Sequence, residues 1–337
     1  MAKKAKLNLG VIGLGRLGYI HALNARRCVD ANLVAICDIS DQARERAAND
    51  FGEGVKSYKD YAAILEDKSI DAVILSTPTK FHYKTLVECI EAGKQIFVEK
   101  PITYTVDEAK SIVELADKHK SYVQVGFMRR FDEGHVAAKN MIEAGELGDL
   151  IFIQDCQRDP SGPPIHYVPE SGGIFVDMAI HDLDCVRWLM GSPIKTIYAE
   201  GAVLKHKYLE GMDDVDEGHC MVSFENKALG HVEVSRNAND IYDVRTEIIG
   251  SKASVFIGQH QHSPYIKVGG SGFTFNIAHW CLDRFEKAYE TEMQVFIKNV
   301  LEQKPSPVDA KEGMISLLVS QMATKSCKEG KRITIPY

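Results

Sequence analysis

Residues 9–12 form a short apolar run that leads directly into Gly13-Leu14-Gly15-Arg16-Leu17-Gly18, and an apolar helical pattern follows at once. Nothing else in the chain constrains its fold as tightly, because each glycine has a separate task between a strand and a helix. Gly13 permits a tight turn, Gly15 lets the backbone approach a pyrophosphate, and Gly18 lets the helix pack close to the strand. The N–H groups at the helix start then face the anion. A plain glycine-rich turn has the same letters, so the discriminating residue is Asp38. It ends the second predicted strand about twenty residues beyond Gly18, where a ribose-binding carboxylate is expected. Asp38 accepts hydrogen bonds from adenosine hydroxyls in this reading, and with Asp41 nearby it repels a 2′-phosphate. NAD is therefore expected over NADP.

The next hundred residues repeat the same unit. Apolar runs at 7–12, 33–37, 72–76, 95–98 and 122–127 alternate with amphipathic stretches beginning near Leu17, Asp41, Phe81 and Asp107, and residues 57–65 read as a further short helix. Strand-helix alternation of this kind builds a parallel sheet covered on both faces. After Phe127 the rhythm changes. A helix over 132–144 leads to a strand at 150–156, a Pro/Gly-rich loop at 159–173 and a long helix at 174–190. Alternating strands from 194 to about 268 and helices at 293–301 and 312–325 follow. The expected fold class is α/β. An N-terminal Rossmann doubly wound parallel sheet occupies 1–126, and a C-terminal α+β domain with a large, mostly antiparallel, open-faced sheet occupies 127–337.

The chain has 337 residues, more than one hydrophobic core usually organises. Its net charge of −7 excludes the basic stripe of a nucleic-acid binder. The one basic run, Lys3, Lys4 and Lys6, reads as a solvated tail. No apolar stretch is long enough for a membrane span and no secretory signal is visible, so a cytoplasmic protein is expected. The eight cysteines are scattered without C-x-x-C spacing and read as reduced core residues.

Two further groups fall where open α/β sheets bind ligands, at the carboxyl ends of strands. Ser76-Thr77-Pro78 follows one strand, and the same letters also make a simple capped turn. His82 reads equally as a cofactor contact and as a solvated helix histidine. Glu99-Lys100-Pro101 follows the next strand. Pro101 disfavours α geometry at Lys100, so the lysine is expected extended and aimed into the cleft, where it can stabilise an alkoxide. A surface lysine at the start of a loop has the same spacing. In the long helix, Asp177 and His181 stand four apart and share a face. Histidine suits general-base work and a carboxylate can orient it. An exposed ion pair and a metal pair are the alternatives. The metal reading is weakened by the lack of a further ligand at recognisable spacing, and no metal is expected.

The combination of the GLGRLG turn, STPTKFH, VEKPIT, GFMRRFD and the GGIFVDMAIHDLDCVRWL helix resembles the glucose-fructose oxidoreductase and inositol dehydrogenase family (Gfo/Idh/MocA) over nearly the whole chain. The resemblance implies that Lys100, Asp177 and His181 are the catalytic lysine, aspartate and histidine. It implies a cofactor site of Gly13, Gly15, Arg16, Leu17, Gly18, Asp38, Ser76, Thr77, Pro78, His82, Glu99 and Lys100. Around a small cyclic polyol it implies Lys100, Arg130, Arg158, Asp177, His181 and Tyr242. Residues 126–132 and 158–164 are most similar to members that oxidise inositols, myo- or scyllo-, to the ketone. The implied chemistry is proton removal by His181 as hydride passes to nicotinamide C4, with Lys100 polarising the same oxygen and Asp177 orienting its neighbours. The resemblance also implies a homotetramer packed through the open sheet face. Oxidation of another sugar derivative and a non-catalytic dinucleotide-binding sensor are the rival readings.

Overall fold

The computed structural model describes residues 6–258, 267–269, 272–274 and 278–337. Lys3 and Lys4 of the basic run lie outside the described residues. Contacts divide the chain into two compact units, Met1–Met128 with Lys287–Ile315 and Arg129–Glu286 with Ser316–Tyr337.

The first unit contains β1 (Leu7–Ile12), α1 (Arg16–Arg27), β2 (Ala31–Cys37), α2 (Asp41–Phe51), β3 (Lys56–Tyr58), α3 (Ala62–Glu66), β4 (Ala72–Leu75), α4 (His82–Glu91), β5 (Gln95–Glu99), α5 (Val106–His119) and β6 (Val123–Gly126). Its sheet is parallel, in the order β3-β2-β1-β4-β5-β6. This is the doubly wound arrangement whose order reverses between β1 and β4, leaving a crevice at their carboxyl ends. Every residue of β4 is buried, as a strand covered on both faces requires. Ser40 caps α2, and Thr105 with Glu108 forms a capping box on α5, which fixes where those helices begin. Residues 56–58 form an edge strand where the sequence suggests helix, because three residues are too few to display an alternation.

The second unit contains α6 (Glu133–Glu143), β7 (Leu150–Arg158), α7 (Val168–Ser171), α8 (Ile174–Asp177), α9 (Ala179–Met190), β8 (Ile194–Ala202), β9 (Glu217–Phe224), β10 (Leu229–Ser235), β11 (Asp243–Gly250), β12 (Ser254–Ile257), β13 (Lys267–Gly269) and β14 (Gly272–Thr274). Then come α10 (Cys281–Glu302), α11 (Ala310–Glu329) and β15 (Ile333–Thr334). The main sheet runs β12-β11-β7-β10-β9-β8-β15 and is antiparallel except where β7 and β10 pair in parallel. One face is packed by α9; the other displays Met221, Leu229 and Phe256. The helix expected over 174–190 is two helices, broken at Met178 (φ −105°, ψ −61°).

Residues 287–315 pack with the first unit, so the segment after residue 127 does not stay together. The reason is apolar: Met293, Phe296 and Ile297 of α10 share one core with Leu9, Val11, Ile36, Ile74 and Phe97. None of the helices is long and apolar enough to cross a membrane, among the described residues.

Candidate active site

The glycine turn closes on itself in the way its spacing predicts. Gly13 has φ +93°, and a Cβ there would stand 2.5 Å from the Ser76 carbonyl oxygen. At Gly18 it would stand 2.0 Å from the Gly13 carbonyl oxygen, so only glycine lets α1 approach the turn. At Gly15 nothing lies within 4 Å, and this open position is the start of α1, which no side chain caps. A cradle of that form fits a pyrophosphate. Arg16 is exposed and Leu17 half-buried in the first turn.

Asp38 is held in place by backbone. Its Oδ2 accepts from Leu14 N–H at 2.6 Å, and its Oδ1 from Ser40 N–H at 2.8 Å. Arg44 donates to the Asp38 carbonyl at 2.7 Å and pairs with Asp41. The carboxylate therefore stands beside the glycine turn in a fixed orientation.

Ser76 N–H donates to the Ile12 carbonyl at 2.9 Å, which joins the ends of β1 and β4, and Thr77 and Pro78 continue that edge. His82 is 1% exposed, a brace inside the unit rather than a solvated helix residue. Its Nδ1 lies 2.9 Å from the Pro101 carbonyl and its Nε2 2.8 Å from the Thr77 carbonyl. Burial pushes its proton affinity down while both carbonyls pull it up, and the net direction is down. His82 thus ties the loop after β4 to the loop after β5. Glu99 is also buried: it contacts His21 Nε2 at 2.6 Å and accepts the Lys100 backbone N–H at 3.2 Å. Lys100 itself, half-buried, opens the loop at this edge, and its peptide bond to Pro101 is cis.

In the second unit, Asp177 ends α8 and His181 lies in the first turn of α9, 8% exposed. Tyr167 donates to Asp177 Oδ1 at 2.9 Å, and Arg236 reaches Oδ2 at 3.3 Å. Arg236 also pairs with Asp214 at 2.6 Å. Burial disfavours the Arg236 charge, but Asp214 and Asp177 outweigh it and keep the guanidinium protonated. Asp214 Oδ1 in turn accepts the Ile174 N–H at 2.8 Å, so one buried pair orients the start and the end of α8.

Arg130, expected near a polyol, is committed to α9. It meets Asp184 through two hydrogen bonds and is 8% exposed. Arg129 reaches Asp182 at 2.8 Å, Asp155 at 3.1 Å and Gln157 at 2.6 Å. Arg158, also expected near a polyol, lies on the opposite sheet face from Asp155 and Gln157. There it bonds Glu233 at 2.6 Å and Asp243 at 3.0 Å, so it is not brought together with His181. Tyr242 is buried, edge-on to Phe285, and its hydroxyl is pushed well above the ordinary tyrosine range by burial first and Asp159 next.

The fold also collects His135, Asp155 and Cys185, whose ligand atoms lie within 4.8 Å of one another, a group no sequence spacing announced. Two of its members, His135 and Asp155, are already engaged. His135 contacts Asp132 at 2.7 Å and Thr246 at 3.1 Å, while Asp155 accepts from Arg129 and Thr246. With Arg129 and Thr246 already bonded to Asp155, and burial raising that carboxyl's proton affinity, the arrangement is that of a buried polar network.

Comparison with known proteins agrees with this architecture. Residues 7–127 match the family model described as an oxidoreductase family, NAD-binding Rossmann fold, and residues 139–335 match its C-terminal alpha/beta domain. The chain belongs to the Gfo/Idh/MocA oxidoreductase family, and residues 7–127 are the NAD-binding Rossmann domain of that family. It is 38% identical to the NAD(+) scyllo-inositol 2-dehydrogenase of Bacillus subtilis, over 98% of this chain and 96% of that protein. It is 33% identical to the myo-inositol 2-dehydrogenase of Thermotoga maritima, over 98% of each. The crystal structure of scyllo-inositol dehydrogenase from Lactobacillus casei with NAD(H) and scyllo-inositol superimposes with a TM-score of 0.92 at 28% identity, covering 98% of this chain and 99% of that one.

Proposed function

We propose that the protein is an NAD-dependent inositol dehydrogenase, oxidising myo- or scyllo-inositol to the corresponding ketone. The observation that carries the cofactor half is Asp38, fixed by two backbone amides beside a glycine cradle that admits an anion. The substrate half rests on similarity over almost the full chain to inositol dehydrogenases, one of them solved with NAD(H) and scyllo-inositol. NAD, when bound, supplies the hydride acceptor. In this reading His181 takes the proton of a ring hydroxyl as hydride leaves the carbon beneath it. Lys100 stabilises the negative charge growing on the same oxygen, and Asp177, held by Arg236 and Tyr167, orients the donors around it. Asp38 favours NAD because a 2′-phosphate would face its carboxylate.

The same reading carries a cytoplasmic homotetramer. All eight cysteines are free thiols, as in a reducing compartment. The open sheet face with Met221, Leu229 and Phe256 offers an apolar surface for a second copy. The deciding experiment is NADH formation from myo- and scyllo-inositol, run beside a panel of sugars and with NADP in place of NAD. Turnover of a sugar and of neither inositol would overturn the substrate assignment, and a lower KM for NADP the cofactor preference. Light scattering reads the assembly.

A further inference from the structure

The open face of the second unit's sheet carries two histidines on neighbouring strands, His219 of β9 and His231 of β10. Strand register makes them diagonal neighbours: His219 stands opposite Glu233, and His231 opposite Met221. Their ring planes differ by 21°, and His219 Nδ1 lies 3.2 Å from His231 Nε2. One shared proton can hold two nitrogens at that distance. So can a metal ion: two imidazole nitrogens bound to a tetrahedral Zn2+ at about 2.0–2.1 Å stand about 3.3 Å apart. The other ring nitrogen of His219, Nε2, faces the Glu217 carboxylate at 3.4 Å. In that arrangement a carboxylate holds a ligating histidine from behind, keeping the proton on one nitrogen and the lone pair on the other. Glu233 across β10 and Glu200 across β8 flank His219 on the same face, and Arg158 reaches Glu233 at 2.6 Å.

We propose that His219 and His231 bind a late first-row divalent ion, His219 through Nδ1 and His231 through Nε2, with Glu217 orienting the first of them. Imidazole nitrogen suits Zn2+, Ni2+ and Cu2+, whereas Mg2+ and Ca2+ are held by oxygen. The His219 side chain is 46% exposed, so an ion has a route to the pair, and the remaining coordination positions face away from the sheet. The flanking carboxylates favour a cation here over an anion. Twelve residues separate the two histidines in the chain, a distance that carries no ligand signature; the β9–β10 register alone brings them together. Such an ion links two strands and binds only the folded chain, so it stabilises the fold by mass action. Both ligands belong to one sheet of one chain, and the site therefore depends neither on the inositol reading nor on the homotetramer.

The test is equilibrium dialysis of the whole protein against ZnCl2, with MgCl2 as the control. The wild type takes up one Zn2+ per chain more than a double variant carrying His219→Gln and His231→Gln. Each single variant weakens the binding of that ion at least about tenfold, and Glu217→Gln weakens it about tenfold with the stoichiometry kept, the scale of a lost outer-shell partner. Zn2+ raises the melting temperature of the wild type and leaves that of the double variant where it was. With Cu2+ in place of Zn2+, electron paramagnetic resonance shows coupling to two imidazole nitrogens in the wild type and to one in either single variant. Equal Zn2+ uptake by the wild type and the double variant overturns the proposal, and so does binding of Mg2+ as tightly as Zn2+. If the double variant does not fold, His219→Gln, at an exposed position, decides alone.

Discussion

Arg130 holds Asp184 in a two-pronged grip, Nε to Oδ2 at 2.7 Å and Nη2 to Oδ1 at 2.6 Å, with both side chains buried. Asp184 lies three residues beyond His181 on α9, and Ser316 donates to the same carboxylate at 2.7 Å. Arginine's planar fork suits this pairing, and lysine could not reproduce it. Arg130→Ala strips a buried carboxylate of its two-pronged partner, leaving it the weaker contact with Arg187 at 3.4 Å, and is expected to destabilise the protein by about 2–3 kcal/mol. Urea unfolding measures this. A variant of unaltered stability with a raised KM for inositol would show that Arg130 serves the substrate instead.

The glycine turn separates two roles that one substitution class can test. Gly15→Ala places a methyl group where nothing lies within 4 Å, so the protein keeps its melting temperature while the cofactor meets the new methyl. NAD affinity is expected to fall at least about tenfold, the scale of about 1.4 kcal/mol. Gly18→Ala forces a Cβ to within 2.0 Å of the Gly13 carbonyl oxygen, so α1 must move and stability falls with affinity. Calorimetric titration with NAD and thermal melts distinguish the two. Equal melting temperatures for both variants would contradict the packing role of Gly18.

Lys100→Ala and His181→Ala are each expected to lower turnover at least about a hundredfold, the scale of one lost acid-base group. Their unfolding midpoints should stay near that of the wild type, since neither residue anchors the core as Arg130 does. Wild-type turnover in both would remove the proton-transfer scheme.

Glu292 of α10 is fully buried, and this gives it a stability signature. Its affinity for the proton is raised on folding, so its contribution is fully present below the unfolded glutamate value near pH 4.3 and is lost as pH rises toward the folded value. Over that window the folded state keeps a proton that the unfolded state has released, and stability declines by up to about 1.4 kcal/mol per pH unit. Glu292→Gln removes this slope, making the variant progressively more stable than the wild type from about pH 5 upward. Chemical denaturation at a series of pH values reads the difference. Parallel curves would mean that Glu292 is ionised in the folded protein.

The nucleotide half of the site was legible in the chain because it is local. Gly13, Gly15 and Gly18 act within one turn, and Asp38 directly follows the strand that pairs beside β1. Strand-helix alternation likewise announces the parallel sheet. The three-residue β3 and the break at Met178 escaped notice because each is too short to alter a periodicity.

What the tertiary structure decided depends on partners far apart in sequence. The predicted strand stops at Cys156, two residues short of Arg158; β7 runs on to Arg158, and the pleat turns that side chain to the face of Glu233 and Asp243. No local pattern tells Arg130 to choose Asp184, or Arg236 to join Asp177 and Asp214. Nor does the amphipathic pattern of α10 reveal which core its Met293 and Phe296 enter, or that Glu292 beside Met293 is fully buried with them. Glycine spacing and hydrophobic period state what a segment can become. Which buried charge answers which is set only when the whole chain has folded, because desolvation makes an unpaired choice too costly to persist.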